Sequence, residues 1–425
     1  MSLRQTLAAS AALALGLAAA PGLATELFDA CAAAAASPYE AGYAEAGVDS
    51  AKMDTAAAID DCTAALAEDP DSVPLKAWLG RAYDVGGDSA LAVTYLEPAA
   101  TAGNALAQTS FGDILIVGQG VTQDMTRGAE LLQLAADAGF APAQDSLGLS
   151  YDYGEGVGQD HLEASRWYRR AAEQGLPRAM ANLGSMYAEG LGVDQDLVAA
   201  AAWYQRGADR GDSRAQYNLG SFYESGALGE PDYGRAAELY QAAADQNYGL
   251  AQNALGFLKQ HGYGTAPDPE GAAALYQQAA DQGIAQAQGN LALLYEDGLG
   301  VTQDYAMARQ LYRQASQSGN TDAAANLGLL YLNGAGGERN LEKALSFTQQ
   351  AADQGNPVGL NNLGHLYENG LAVTMDTTRA LELYRQSAAL GYQTGADNHQ
   401  RLEAALQAPT ETPSVKTYPR SKIDN

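Results

Sequence analysis

The chain has 425 residues, a formal net charge of −27 and only two cysteines. An acidic balance of this size argues against nucleic-acid binding, which needs clustered basic residues, and against contact with anionic membranes. It fits a soluble, self-repelling protein, and it also fits a protein with a basic or cationic partner.

The first 24 residues have the composition of a secretory signal. Arg4 precedes an apolar stretch, and the small residues Gly22 and Ala24 suit cleavage before Thr25. An uncleaved anchor is the alternative, but the apolar stretch is short for a membrane span. We therefore expect residues 1–24 to be removed, with no membrane insertion afterwards, and a periplasmic or secreted mature protein.

Residues 25–70 form an Ala-rich segment that we predict to be a helical N-terminal cap. It contains both cysteines, Cys31 and Cys62. In an oxidising compartment an even cysteine count favours a disulfide bond between them. A metal-binding or redox-active pair is the alternative, but the two residues lack C-x-x-C spacing and have no histidine nearby.

Residues 107–394 consist of one 36-residue pattern that recurs in register. A fixed period of this length indicates a solenoid. We number the 36 places of each repeat from its first residue. The eight repeats begin at Ala107, Ala143, Ala179, Ala215, Ala251, Ala287, Ala323 and Gly359.

Each repeat has the pattern of two helices joined by a turn. A large apolar residue at place 5 and a tyrosine at place 9 share one helical face, as Leu147 and Tyr151 do. The very small residue at place 6 costs helix propensity, which indicates that another helix approaches closely there. Glycine at place 12 ends the first helix, and an Asp or Asn at place 18 is the predicted N-cap of the second. The second helix ends on Gly or Asn at place 33.

The pattern A-x-x-N-L-G-x-x-Y-x-x-G-x-G-V-x-x-D-x-x-x-A-x-x-W-Y-x-x-A-A-x-x-G resembles the Sel-one-like repeat (SLR), a relative of the tetratricopeptide repeat. The resemblance implies an all-α fold, a right-handed α-solenoid of stacked helix-turn-helix repeats, and an adaptor or scaffold role. The motif residues of that family are structural, so the match transfers no catalytic residue. Residues 71–106 carry a shorter, tetratricopeptide-like hairpin, in which Leu79, Gly80 and Tyr83 match the first helix.

Both ends of such an array need covering, because a terminal repeat has a neighbour on one side only. The disulfide-stapled segment is the predicted N-terminal cap, and residues 395–407 are the predicted C-terminal capping helix. Residues 408–425 contain three prolines and no periodicity, and we predict them to be disordered.

By analogy with the tetratricopeptide fold, places 3, 4, 7, 10 and 11 of the first helices should line the concave groove. Place 4 gives a ladder of side-chain amides that could hold the backbone of an extended peptide: Asn182, Asn218, Asn290, Asn326 and Asn362. The alternative is that these amides bond within or between helices. Place 7 supplies apolar candidates: Leu149, Phe257, Leu293 and Leu329. Places 10 and 11 supply acidic ones: Asp152, Glu189, Glu224, Glu296, Asp297 and Glu368.

Apolar anchors surrounded by acids suit a partner segment with apolar and Lys or Arg residues. If the helix phase is displaced by one position, the apolar residues belong to the core between repeats instead. We predict no enzyme activity, cofactor or metal: the four histidines occupy different places, and the glycine-rich pieces are turns between helices. The sequence thus predicts an exported scaffold that binds proteins or peptides. A non-catalytic envelope module associated with peptidoglycan or a wall enzyme is the alternative.

Overall fold

The computed structural model describes residues 21–407; the tail predicted to be disordered and most of the predicted signal lie outside them. Over the described range the chain is helical, with 21 α-helices, one short 3-10 helix and no strand. The predicted all-α architecture is therefore confirmed. The chain forms two compact units, Met1–Pro231 and Asp232–Asn425, which we call the N-terminal unit and the C-terminal unit.

The N-terminal unit contains eleven of the α-helices, and the 3-10 helix Ser50–Lys52 lies between the first two. The α-helices are α1 Pro21–Ala35, α2 Thr55–Glu68, α3 Val73–Val85, α4 Ser89–Thr101, α5 Ala105–Val117, α6 Met125–Asp137, α7 Ala141–Tyr153, α8 His161–Glu173, α9 Pro177–Glu189, α10 Leu197–Ala208 and α11 Ser213–Ser225.

The C-terminal unit contains the remaining ten, and in each unit consecutive helices pack against each other. They are α12 Tyr233–Ala244, α13 Gly249–His261, α14 Pro269–Asp281, α15 Ala285–Asp297, α16 Tyr305–Gln317, α17 Thr321–Asn333, α18 Leu341–Asp353, α19 Pro357–Asn369, α20 Thr377–Ala389 and α21 Gln393–Gln407.

The helix ends lie where the repeat pattern predicts them. Asp160 caps α8, and its carboxylate accepts hydrogen bonds from the backbone N–H groups of Leu162 and Glu163 at 3.0 and 3.1 Å. The Asp or Asn at place 18 caps the second helix in the same way in all eight repeats. Gly154 ends α7 with φ +76°, a left-handed conformation that favours glycine.

The small residue at place 6 does allow a close approach between the two helices of a hairpin. A Cβ atom added to Gly148 would lie 2.6 Å from ring carbons of Tyr168, the place-26 tyrosine of α8. Tyr168 is 1% exposed. A larger side chain at place 6 would push this ring out of its site, so the glycine determines how tightly the hairpin closes.

The N-terminal cap contains the predicted disulfide bond. Cys31 of α1 is bonded to Cys62 of α2, their Cα atoms are 4.5 Å apart, and both residues are fully buried. Trp78 of α3 packs edge-on against Phe28 and Tyr43, with ring centroids 5.1 Å apart in each pair. The disulfide therefore joins two helices whose aromatic neighbours cover the start of the array.

We predict that Gly148→Ala lowers the stability of the N-terminal unit by about 1–3 kcal/mol, because the added methyl group overlaps Tyr168. Tryptophan fluorescence during urea unfolding measures this, since Trp78, Trp167 and Trp203 all lie in that unit. Gly158→Ala is the control, because an added Cβ there meets nothing within 4 Å. Equal unfolding midpoints for the two variants would contradict the packing argument.

We predict that Cys31→Ala with Cys62→Ala costs the N-terminal unit about 3–4 kcal/mol on the chain-entropy model, because the bond closes a long loop. The same fluorescence measurement detects the loss. Hydrogen exchange of α14–α20 serves as the control and should be unchanged. A midpoint that does not move would show that the bond adds nothing to the stability of the cap.

Candidate functional site

In the N-terminal unit the chain covers part of its own predicted groove face. Leu79 occupies place 5 of its hairpin, so Trp78 and Arg81 occupy places 4 and 7. The Trp78 indole Nε1 donates to a Glu40 carboxylate oxygen at 3.0 Å. Residues 36–49, between α1 and the 3-10 helix, form what we call the docked segment.

Arg81 holds this segment by its backbone. Its guanidinium donates to the carbonyl oxygens of Ala35 and Val48 at 2.8 and 2.9 Å, and to the Ser50 hydroxyl at 3.0 Å. Arg81 is only 6% exposed. Ala35 immediately precedes the docked segment and Val48 lies near its end, so one side chain closes the segment into a loop across the first helices.

Tyr39 extends the docked segment to the next repeats. It packs against a buried cluster from α7, α8 and α9 that includes Tyr168, Leu176 and Ala179. Burial is the main cause of the raised pKa of its hydroxyl, and the charges of Asp49, Arg210, Asp145 and Arg178 act on it as well. Leu149, a predicted anchor, is half-buried against the same cluster. This part of the groove face is therefore occupied by the protein itself.

The other predicted groove residues of this unit bond mainly within it. Asn182 is 6% exposed, donates to Asp145 at 2.8 Å and accepts from Arg214. Asp152 contacts the His161 ring at 2.8 Å and accepts from the Tyr168 hydroxyl at 3.4 Å. Their polar groups serve contacts within and between repeats. Glu189 is exposed, whereas Asn218 and Glu224 are half-buried.

A row of charged groups crosses α5, α7 and α9 in this unit. Asp145 is fully buried and paired with Arg178. Asp113 of α5 accepts a hydrogen bond from the Ser146 hydroxyl at 3.3 Å, and burial raises its pKa to about 7. Asp113 therefore titrates near neutral pH in the folded protein.

The C-terminal unit has an open pocket on the equivalent face. It measures about 240 Å³ and lies between α15 and α17, with one residue from α19. Leu293, from place 7, contributes an apolar side chain that is 39% exposed. Three predicted groove residues, Asn290, Leu293 and Asn326, meet in this pocket. Its lining consists of Gln286, Gly289, Asn290, Leu293, Tyr312, Asn320, Asp322, Ala323, Asn326 and Val358.

The polar groups of the pocket form a short hydrogen-bonded chain. The Asn326 amide donates to the Tyr312 hydroxyl at 3.4 Å, and that hydroxyl donates to Glu296 at 2.8 Å. Burial is the main cause of the raised pKa of Glu296. The Asn290 amide donates to Asn253 at 3.0 Å. These amides line the pocket and also bond to other residues of their own unit.

The remaining predicted residues of the C-terminal unit lie outside the pocket. Glu368 accepts two hydrogen bonds from Arg401 at 2.8 and 2.7 Å and one from Tyr384, and the bonds from Arg401 lower its pKa. Asn362 is 6% exposed and Leu329 is half-buried. Phe257 and Asp297 are exposed. The charge of Glu368 is thus already balanced within the chain.

Sequence reasoning missed two features of this unit. Asp322 and Gln286 line the pocket from place 36, which the tetratricopeptide analogy did not include. Tyr263 stacks with Tyr233 at 5.1 Å, and Phe257 packs against His261 at 4.5 Å; the four rings form what we call the aromatic patch. Phe257 was predicted at place 7, whereas the other three rings come from a turn and from helix ends, where the repeat columns carry no common signal.

Three other features of the described residues bear on the search for a site. A larger depression of about 560 Å³ is lined by α18 and the turn after it, so no second helix closes it. Across residues 21–407 no group of three or more His, Cys, Asp or Glu side chains is arranged to hold a metal ion. Within the same range, no helix has both the length and the apolar character of a membrane span.

We predict that Asp113→Asn makes the N-terminal unit roughly 1–3 kcal/mol more stable at pH 8. The folded chain holds the Asp113 proton more tightly than an unfolded chain with pKa 3.8, so wild-type stability falls as the pH rises from about 4 to about 7. The stability of the variant should not fall in this way as the pH rises. Urea midpoints at pH 4.5 and 8, followed by tryptophan fluorescence, measure it.

Asp137→Asn is the matched control, because Asp137 is exposed at the end of α6 and the change in charge is the same. If both variants respond to pH alike, the effect comes from net charge and not from the burial of Asp113.

Comparison with known proteins identifies the repeats. A family model, the Sel1 repeat, matches nine consecutive segments: 77–104, 105–140, 141–176, 177–212, 213–248, 249–284, 285–320, 321–356 and 357–392. The first of these covers the shorter hairpin. No curated protein matches the chain significantly.

Two solved structures are similar over most of their length. A Sel1 repeat protein from Oxalobacter formigenes is 30% identical, with a TM-score of 0.51, over 73% of this chain and 90% of that one. A protective antigen present in uropathogenic Escherichia coli strains, which displays an SLR fold, is 28% identical, with a TM-score of 0.50, over 87% of this chain and 86% of that one. The resemblance seen in the sequence is thereby confirmed. Sel1 repeat proteins generally mediate protein–protein interaction, which points to a non-catalytic role, and the chain belongs to this family.

Proposed function

We propose that this protein is an exported adaptor that binds an extended segment of a partner protein on the groove face of its C-terminal unit. The observation that carries the proposal is the pocket between α15 and α17. There Leu293 offers a partly exposed apolar surface beside the side chains of Asn290 and Asn326. A small apolar site with a few convergent polar groups is the usual form of an anchor site.

Charge favours a partner segment with basic and apolar residues. Asp322 lines the pocket and is exposed, and Asp297 is exposed at the end of α15. The chain as a whole carries a formal charge of −27. A Lys or Arg next to an apolar anchor residue would lie near these carboxylates, and the field of the protein would attract it over a longer distance.

Export rests on two observations. The sequence begins with a segment that has the composition of a cleavable signal. The cap contains a buried disulfide bond between Cys31 and Cys62, and such bonds persist in oxidising compartments. Together they support a periplasmic or secreted location for the adaptor.

The aromatic patch favours a second candidate function, association with the cell wall. Phe257 and Tyr263 are 37% and 42% exposed. Exposed ring faces can stack on the apolar faces of sugar rings, so the patch could contact the glycan strands of peptidoglycan. In that case the protein would be a non-catalytic accessory module of the envelope.

We predict that Leu293→Glu removes specific partners from the protein, because it places a charge in the anchor pocket. The protein beginning at Thr25 would be immobilised, and proteins bound from an envelope extract of the source cell would be identified at low and at high salt. Partners attracted by Asp297 and Asp322 should be retained more weakly at high salt.

Leu390→Glu is the matched control, because Leu390 is also exposed in the C-terminal unit but lies outside the pocket. A set of partners lost with Leu293→Glu and kept with Leu390→Glu supports the proposal. If both variants retain the same proteins, the pocket is not the binding site. Co-sedimentation with purified sacculi that depends on Phe257 and Tyr263 would favour the wall-associated module instead.

A further inference from the structure

The open pocket of the C-terminal unit lies at repeat places whose counterparts in the N-terminal unit belong to the cluster against which Tyr39 packs. The two sites are four repeats apart, a shift of 144 residues in the register. Tyr168, Leu176 and Ala179 belong to the cluster that contacts Tyr39. Their counterparts line the pocket: Tyr312, Asn320 and Ala323. The same face of the repeat therefore holds an aromatic side chain in one unit and is open in the other.

Two substitutions between the repeats change the chemistry of the pocket. Asp145, whose charge acts on the Tyr39 hydroxyl, corresponds to Gly289, which removes a side chain from the pocket. Arg178 corresponds to Asp322, which reverses the charge next to the aromatic site. The pocket thus suits a tyrosine flanked by basic residues, whereas the site of Tyr39 has an arginine at that position.

The chain contains such a segment beyond its last described helix. Residues 408–425 include one tyrosine, Tyr418, within the sequence Lys416-Thr-Tyr-Pro-Arg420, and Lys422 follows. Only two acids, Glu411 and Asp424, accompany these three basic residues. The segment therefore carries the aromatic group and the positive charge that Leu293 and Asp322 would accept.

The segment is long enough to reach the pocket. Tyr418 lies 11 residues after Gln407, the end of α21, and at about 3.3 Å per residue this length of chain spans up to ~36 Å. In the C-terminal unit α17 packs against α19 and α19 against α21. With helix axes about 8–10 Å apart, the path from α21 to α17 is about 20 Å across the helices. The pocket lies about nine residues nearer the N-terminal ends of these helices than Gln407 does, which adds about 14 Å along the axes, so the direct distance is about 24 Å.

We propose that Tyr418 of this chain's own C-terminal segment occupies the pocket between α15 and α17, with Lys416 and Arg420 beside Asp322. The proposal rests on the partner-binding pocket proposed above and adds a built-in competitor for it. A partner then binds by displacing the segment, so the partners retained are those that compete with a tethered ligand.

Cysteine cross-linking in the full chain tests this docking. Gln286→Cys places a thiol at the exposed rim of the pocket, and Thr417→Cys places one next to Tyr418 without altering the anchor. The native disulfide is fully buried in the N-terminal unit and does not interfere. The rate of disulfide formation within one chain would be followed by mass spectrometry of proteolytic fragments at low protein concentration.

We expect the cross-link to form within single chains. Its rate should fall about tenfold when Tyr418→Ala or Leu293→Glu is added, because a C-terminal segment bound in the pocket has a higher effective concentration there than one that is tethered but unbound. An equal rate with and without Tyr418→Ala would overturn the proposal. So would a cross-link that joins two chains and grows with protein concentration, since the occupant would then be a second copy.

The two proposals can fail separately. Slower cross-linking with Leu293→Glu, combined with unchanged capture of envelope proteins, would support the docking of residues 408–425 and show that the pocket is not the adaptor site. Loss of captured proteins with Leu293→Glu, combined with a cross-linking rate that Tyr418→Ala does not change, would support the adaptor site and show that residues 408–425 do not occupy it.

Discussion

The close approach of a glycine at place 6 to the buried side chain at place 26, seen in six of the eight repeats, is the constraint on which the rest of the structure depends. Gly148 leaves the space that the ring of Tyr168 fills, and the counterparts of Tyr168 in most other repeats are also nearly or fully buried. With the ring in this position, its hydroxyl meets polar residues of the first helix, as Tyr312 meets Glu296. The position of this ring therefore determines which side chains of the first helix bond within the array and which stay available to bind a partner.

Most polar residues predicted for the groove belong to this support. Asn182 and Asn362 are buried, and Glu368 is paired with Arg401. What distinguishes the pocket is the absence of a side chain at Gly289 together with the exposed edge of Leu293. A binding face in a repeat array therefore arises where a repeat departs from its neighbours, because residues common to all repeats are occupied in holding the array together.

This distinction explains how far the sequence could be interpreted. Period, helix ends, the close approach at place 6 and the disulfide could be predicted, because each depends on local chemistry or on a column that recurs eight times. Asn290, Leu293 and Asn326 were predicted for the groove and do line one pocket. The docked segment could not be foreseen: the bonds of Arg81 to Ala35 and Val48 join residues more than 30 positions apart, and no column of the pattern records them. Asp322 was missed because it is the last place of one numbered repeat, although its helix, α17, carries the first places of the next.

The position of Trp78 has a practical consequence for any shortened form of this protein. Its ring is fully buried, and the residues that cover it, Phe28 and Tyr43, precede the array. A fragment that starts at residue 71 would retain every Sel1 repeat but present a large bare aromatic surface to water, beside an arginine deprived of its carbonyl partners. Such a surface promotes self-association. The boundary of the repeats and the boundary of an independently soluble fragment are therefore different, and the second lies before Phe28.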